Sequence, residues 1–151
     1  MKPQVILCSA IAAVSVMLGC REYTQIGLTP QTTIVSRQWK ELRPTEPLKW
    51  AAPQQELVFH IDSPHDIKVD GPNVEIMQPD GNRSVPEVWL VANNGQTYLM
   101  DGHGFWGEDM FFTVGKPIRD ATIIAFRIRN DFSIQISNPR WVGYDPARVK
   151  R

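Results

Sequence analysis

The stretch Glu56-Leu57-Val58-Phe59-His60-Ile61-Asp62 sets Leu57, Phe59 and Ile61 against Glu56, His60 and Asp62 with a period of two, the pattern of a half-buried strand. No segment of the chain carries the apolar stripe at three- and four-residue spacing that a helix needs to bury one face. Short apolar runs recur instead: Ile67 to Val69, Val74 to Met77, Pro86 to Ala92, Gln96 to Met100, Met110 to Gly115, Ala121 to Arg129 and Phe132 to Ser137. Turn chemistry separates them. Pro79-Asp80-Gly81-Asn82 combines a residue that sets φ with residues that tolerate positive φ, Asn93-Asn94-Gly95 is a strong hairpin signal, and Asn130-Asp131 predicts a second hairpin. In that hairpin Ile124, Phe126 and Ile128 are expected inside, facing Ile134 and Ile136, with Arg127, Arg129 and Gln135 outside. The pattern predicts an all-β domain.

Seven or eight short strands with turns every eight to twelve residues predict an antiparallel β-sandwich. The Cys…Trp…Cys core of true immunoglobulin domains is absent. The ending Arg127-Ile128-Arg129, Ile136 and Trp141-Val142-Gly143-Tyr144 is similar in style to the last strands of galactose-binding-like, jelly-roll sandwiches, which implies a carbohydrate-binding type of fold.

The N-terminus has a different character. After Met1-Lys2, residues Val5 to Leu18 form an uninterrupted run of apolar and small residues. Fourteen helical residues rise about 21 Å, short of a hydrocarbon core of roughly 30 Å, and the length suits the h-region of a signal peptide. The run ends in Met17-Leu18-Gly19-Cys20, which resembles the lipobox of bacterial lipoproteins. That resemblance implies removal of residues 1–19, acylation of Cys20 and attachment of the mature chain to a membrane. With Arg21 rather than Asp as the second mature residue, it also implies the periplasmic face of the outer membrane. Cys8 lies within the removed segment, so Cys20 is the single cysteine left and no disulfide is expected, although an oxidising compartment would permit one.

Residues 20–54 hold Pro30, Pro44, Pro47 and Pro53 and predict a tether. Thr32 to Trp39 is β-branched enough for a strand, and Trp39 and Trp50 are costly to leave in water, so the later part is expected to pack along the domain as an edge. The domain proper is expected over 55–151. Lys+Arg and Asp+Glu each total 16, a balance that argues against nucleic acid as a partner.

No catalytic constellation emerges. There is no G-x-S-x-G around Ser36, Ser63, Ser84, Ser133 or Ser137, and Glu108 and Asp109 are adjacent, so an extended backbone sends them to opposite sides. A zinc site needs three of His60, Asp62, His65, Asp66 and His103 to converge, and no helical two-histidine motif fixes any pair. Arg127, Arg129 and Arg140 can form a basic strip, usually a solvated sheet face.

The richest segment is Asp101 to Asp109, with His103, Phe105, Trp106 and three glycines. Three readings stay open: a long loop whose aromatics plug one end of the domain, a binding finger with Trp106 as a stacking platform, and a calcium cage using Asp101 and Asp109. The functional expectation is a non-enzymatic binding or assembly module, anchored in the bilayer through Cys20. Its partner would be an envelope protein or glycan, contacted by Trp106, His103, Phe105 and Trp141, with no cofactor. The alternative is a calcium-dependent carbohydrate binder or small envelope hydrolase centred on residues 101–109.

Overall fold

The computed structural model describes residues 23–144, so Cys20 and the rest of the signal-peptide and lipobox expectation lie outside the described residues. The described chain is all β: β1 (Tyr23–Thr29), β2 (Thr32–Val35), β3 (Lys40–Pro44), β4 (Gln54–Ile61), β5 (Asp66–Asp70), β6 (Asn73–Met77), β7 (Arg83–Ser84), β8 (Glu87–Ala92), β9 (Thr97–Trp106), β10 (Asp109–Thr113), β11 (Ile123–Arg129) and β12 (Ile134–Tyr144).

Eight of these strands pair antiparallel in the order β1-β3-β11-β8-β9-β10-β4-β12, and β12 returns to β1 through Tyr23↔Tyr144 to Gly27↔Arg140. The result is a closed barrel, not the expected two-sheet sandwich. The physical reason lies in two strands that serve two neighbours. Residues 97–100 of β9 pair with β8 and residues 101–106 with β10, while in β1 residues 23–27 pair with β12 and Leu28 and Thr29 with β3. Alternating patterns report which face is buried, which sandwich and barrel share, but not whether the pairing closes.

Residues 23–54, expected as a tether with a packed edge, supply three strands, and β1 and β3 are staves of the barrel. Leu28, Val35, Leu42 and Leu48 are buried, and Leu48 exchanges two 2.8 Å backbone hydrogen bonds with Ile123. Thr32 to Val35 does form a strand. It lies along the first half of β12, outside the ring, while β1 takes the second half of the same edge. The handover falls at Asn138-Pro139, where Asn138 adopts φ 50 and the β4 register shifts between Ser137 and Arg140.

The Asn93-Asn94-Gly95 turn forms, with Gly95 at φ 83. The expected hairpin at Asn130-Asp131 does not, because both edges of β11 are taken by β3 and β8. The two residues carry the chain across the barrel end to β12, and Asn130 is buried there. A register shift between Ile123 and Ala125 makes Ile123 the buried residue in place of Ile124.

Inside, Trp141 packs against Phe126 at a centroid distance of 5.3 Å and edge-on to Trp50 at 5.6 Å, while Phe59 stacks on Phe112 at 5.2 Å. Burying each such ring contributes roughly 1.5–3 kcal/mol. The small sheet β5-β6-β7 leaves the barrel between β4 and β8, packs on β9 through β6, and buries Ile67, Val74 and Ile76.

Strand polarity gives the barrel two chemically different ends. β1, β4, β9 and β11 start at the end where the chain enters at Tyr23, here the proximal end, which carries loops 45–53, 93–96 and 114–122. The distal end carries the β9–β10 turn, the β5–β7 sheet and the β11–β12 crossing.

Candidate functional site

Residues Asp101 to Asp109 are not a long loop. They are the outer half of β9, a two-residue turn and the start of β10, with Trp106 paired to Asp109. Gly107 stands at φ 60, which suits the first central position of a Gly-x hairpin turn. Asp101 pairs with Thr113, four residues along β10 from Asp109, a separation of about 13 Å at strand rise. The expected calcium cage of Asp101 and Asp109 therefore does not form.

Cross-strand partners share a face, so the register defines the outer wall. One row runs Trp106, Asp109, His60, Ser137 across β9, β10, β4 and β12. The row beside it runs Gly104, Phe111, Val58, Arg140. Between Phe111 and Phe112 the β9 register slips by one residue, a bulge that turns His103 onto this wall as well. The inner partners are Phe112, Leu57 and Trp141, all buried.

A hydrogen-bonded network occupies the wall near the distal end. Asp109 accepts from Arg140 Nη2 at 2.8 Å through Oδ2 and meets His60 Nδ1 at 3.1 Å through Oδ1. The other ring nitrogen of His60 lies 3.3 Å from Glu108 and 3.8 Å from Asp62. Asp62 in turn accepts from Ser137 Oγ at 2.7 Å and Gln135 Nε2 at 2.9 Å. Three carboxylates against one guanidinium and one imidazole leave the patch anionic and rich in acceptors. Arg140 is its most buried charged member, with 14 % of its side chain exposed.

Trp106 stands at the edge of this network with 81 % of its surface exposed, the most exposed large hydrophobic residue described. Phe105 pairs with buried Met110, so it turns toward the barrel mouth and is 40 % exposed. The plug reading thus fits Phe105 in part and does not fit Trp106.

His103 donates to the Glu56 carboxylate across β10, Nε2 to Oε1 at 2.9 Å, beside the Phe111 ring. The hydrogen bond to the Glu56 carboxylate is the main cause that raises the His103 pKa above its ordinary value, against a smaller opposing effect of burial.

Trp141, expected as a contact residue, is 1 % exposed and belongs to the core. His65 stacks on Phe132 with centroids 5.7 Å apart. Among the described residues no three His, Cys, Asp or Glu side chains are grouped to hold a metal ion. The expected basic strip dissolves: Arg129 bonds Glu87 and lies over Trp39, Arg140 bonds Asp109, and Arg127 alone stands exposed. Ser137 donates to Asp62, not to a histidine, so this wall holds no activated serine.

Of the expected contact residues, the fold brings Trp106 and His103 to one wall and adds Asp109 from the metal pair. Sequence reasoning missed His60, Asp62, Glu108 and Arg140 as a group. Alternation gives the outward turn of His60, but their meeting depends on the β4–β10–β12 register and the bulge at Asn138.

No protein-family model matches the chain, and no curated protein or solved structure gives a significant match.

Proposed function

We propose that this chain is an exported lipoprotein, acylated at Cys20 and held at the outer membrane facing the periplasm. Its barrel is a non-enzymatic binding or assembly module for an envelope protein or glycan. The anchor reading is supported by the Met17-Leu18-Gly19-Cys20 sequence after a short apolar run. The binding reading is carried by one observation: Trp106, 81 % exposed, stands directly across from Asp109 at the edge of a hydrogen-bonded acidic network.

A bare indole beside fixed carboxylates suits a ligand with an apolar face and hydrogen-bond donors at its rim, as a sugar ring or a partner's aromatic and amide groups provide.

A photo-crosslinking residue placed at position 106 in living cells tests this. A suitable control position is Arg127, exposed on β11, which lies diametrically opposite β4 in the ring of eight strands. The reading expects a discrete adduct from 106 and none from 127. Equal labelling from both positions, or none from 106, sinks it. Incorporation of labelled fatty acid, abolished by Cys20→Ala, tests the anchor.

A further inference from the structure

We infer that the proximal end of the barrel is a seat for anionic lipid headgroups, so that the protein stands upright on its membrane with Trp106 at the far tip. This rests on the anchored reading proposed above.

Three observations converge on that end. The chain enters the barrel there: Tyr23 is the first residue of β1, and Cys20 is three residues earlier. Three residues span at most about 10 Å, so an acylated Cys20 keeps this end within reach of the headgroup layer, and the loop cations then decide whether it seats there.

The second observation is charge. Lys49, Lys116 and Arg119 lie on the loops of this end and have no ion-pair partner among the described residues; Arg37, Lys40 and Arg127 share that state but are spread over the rest of the barrel, while Arg43, Lys68, Arg83, Arg129 and Arg140 are paired. The acids on the same loops are Glu46 and Asp120. At the distal end the balance reverses, with Asp62, Glu108, Asp109 and Asp131 outnumbering Arg37, Lys40 and Arg140.

The third is shape. Lys116 and Arg119 line a groove of about 610 Å³, and Lys49 and Arg119 line a second of about 480 Å³ that shares the wall Arg119-Asp120-Ala121. Both are open to solvent, and their volumes exceed that of a phosphate group. Each cation near an anionic surface strengthens attachment several-fold, and the effect is confined to roughly one Debye length, about 8 Å at physiological salt. The proximal loops fall inside that range; the Trp106 turn, about 25–30 Å along the strands, falls outside it.

The test uses the full chain purified from membranes and placed in phosphatidylcholine vesicles with or without phosphatidylglycerol. A fluorophore is attached at Asn94→Cys on the proximal 93–96 turn or at Trp106→Cys, and quenched by a headgroup-linked nitroxide. The expected result is quenching several-fold stronger at 94 than at 106, dependent on phosphatidylglycerol. It should be lost in the triple variant K49Q/K116Q/R119Q, which still floats with the vesicles through its anchor. Equal quenching at both positions, or a triple variant that behaves like the parent, overturns the inference.

Intact mass separates the two proposals. If Cys20 carries no acyl group, the anchor reading fails, and flotation of the same protein with phosphatidylglycerol vesicles judges the headgroup seat alone. Salt-sensitive flotation reduced roughly tenfold or more by the triple variant upholds it, and no phosphatidylglycerol-dependent flotation overturns it.

Discussion

His103 and Glu56 meet at 2.9 Å over the top of β10, joining two strands that share no backbone pairing. The contact exists because a bulge in β9 turns His103 outward beside Phe111. Since the folded state raises the His103 pKa, the pair stabilises the fold when the imidazole is protonated. That contribution is fully present below the unfolded histidine value of about 6.5 and is lost as pH rises through the higher folded value. Comparing thermal unfolding of the wild type and His103→Gln isolates it from the other titrating groups. The wild type should be the more stable at about pH 5.5, with the gap closing toward about pH 8.5. A gap that widens with pH would contradict the assignment.

Arg140 should be the keystone of the distal wall. It is the most buried charged member of the network and, among the described residues, the only guanidinium bonded to Asp109. Arg140→Gln leaves Asp109 beside Glu108 and Asp62 with its main counter-charge gone, at a cost of about 1–2 kcal/mol after allowing for partial exposure. The double variant with Asp109→Asn should cost less than the sum of the two single changes, because they share one interaction. Urea denaturation of the four proteins measures this; strict additivity would mean that the pair is not coupled.

The contrast between these two contacts shows what sequence can carry. Period-two alternation in Glu56 to Asp62 places Leu57, Phe59 and Ile61 inside and His60 outside, because side-chain direction is a local property of a strand. Asn93-Asn94-Gly95 and Pro79 to Asn82 were legible for the same reason: each turn is made by its own residues. Closure of the barrel was not, since it depends on β9 and β1 exchanging neighbours midway. Nor was the handover at Asn138, which admits β1 and β2 to one edge of β12. Trp141 illustrates the cost: the sequence offers it as a contact residue, yet the register sets it opposite Leu57 in the core. Gly107-Glu108 did carry a hairpin signal, obscured by the density of glycine and acid around it.

Trp106 and Trp141 therefore answer oppositely to the same substitution. Trp106→Ala removes an indole that is mostly in water, so stability should move by no more than about 0.5 kcal/mol, while the crosslink or ligand response of the wall is lost. Trp141→Ala opens a cavity against Phe126 and Trp50 and should cost about 3–5 kcal/mol. Unfolding midpoints of the two variants, measured side by side, check the pair. A strongly destabilised Trp106→Ala would return that residue to a structural role.

Asn130 provides the last test, because its importance is invisible in a turn-like Asn-Asp sequence. Its backbone N–H donates to the Ser36 carbonyl at 2.8 Å, its Nδ2 donates to the Phe132 carbonyl at 2.9 Å, and its Oδ1 accepts from Ser84 Oγ at 2.6 Å. The residue thereby ties the β11–β12 crossing to the end of β2 through its backbone and to β7 through its buried side-chain amide. Ser84→Ala removes one partner and leaves Oδ1 unsatisfied, at about 1 kcal/mol. Asn130→Ala strands both Ser84 Oγ and the Phe132 carbonyl and leaves a small void, at about 2–3 kcal/mol. The urea midpoint should fall in that order with an unchanged slope, since neither change alters the surface exposed on unfolding. The two variants combined should be no worse than Asn130→Ala alone by more than a few tenths of a kcal/mol, because the hydroxyl has then lost nothing further. A Ser84→Ala variant as damaging as Asn130→Ala would place the strength of the crossing in the Ser84 contact, not in the amide.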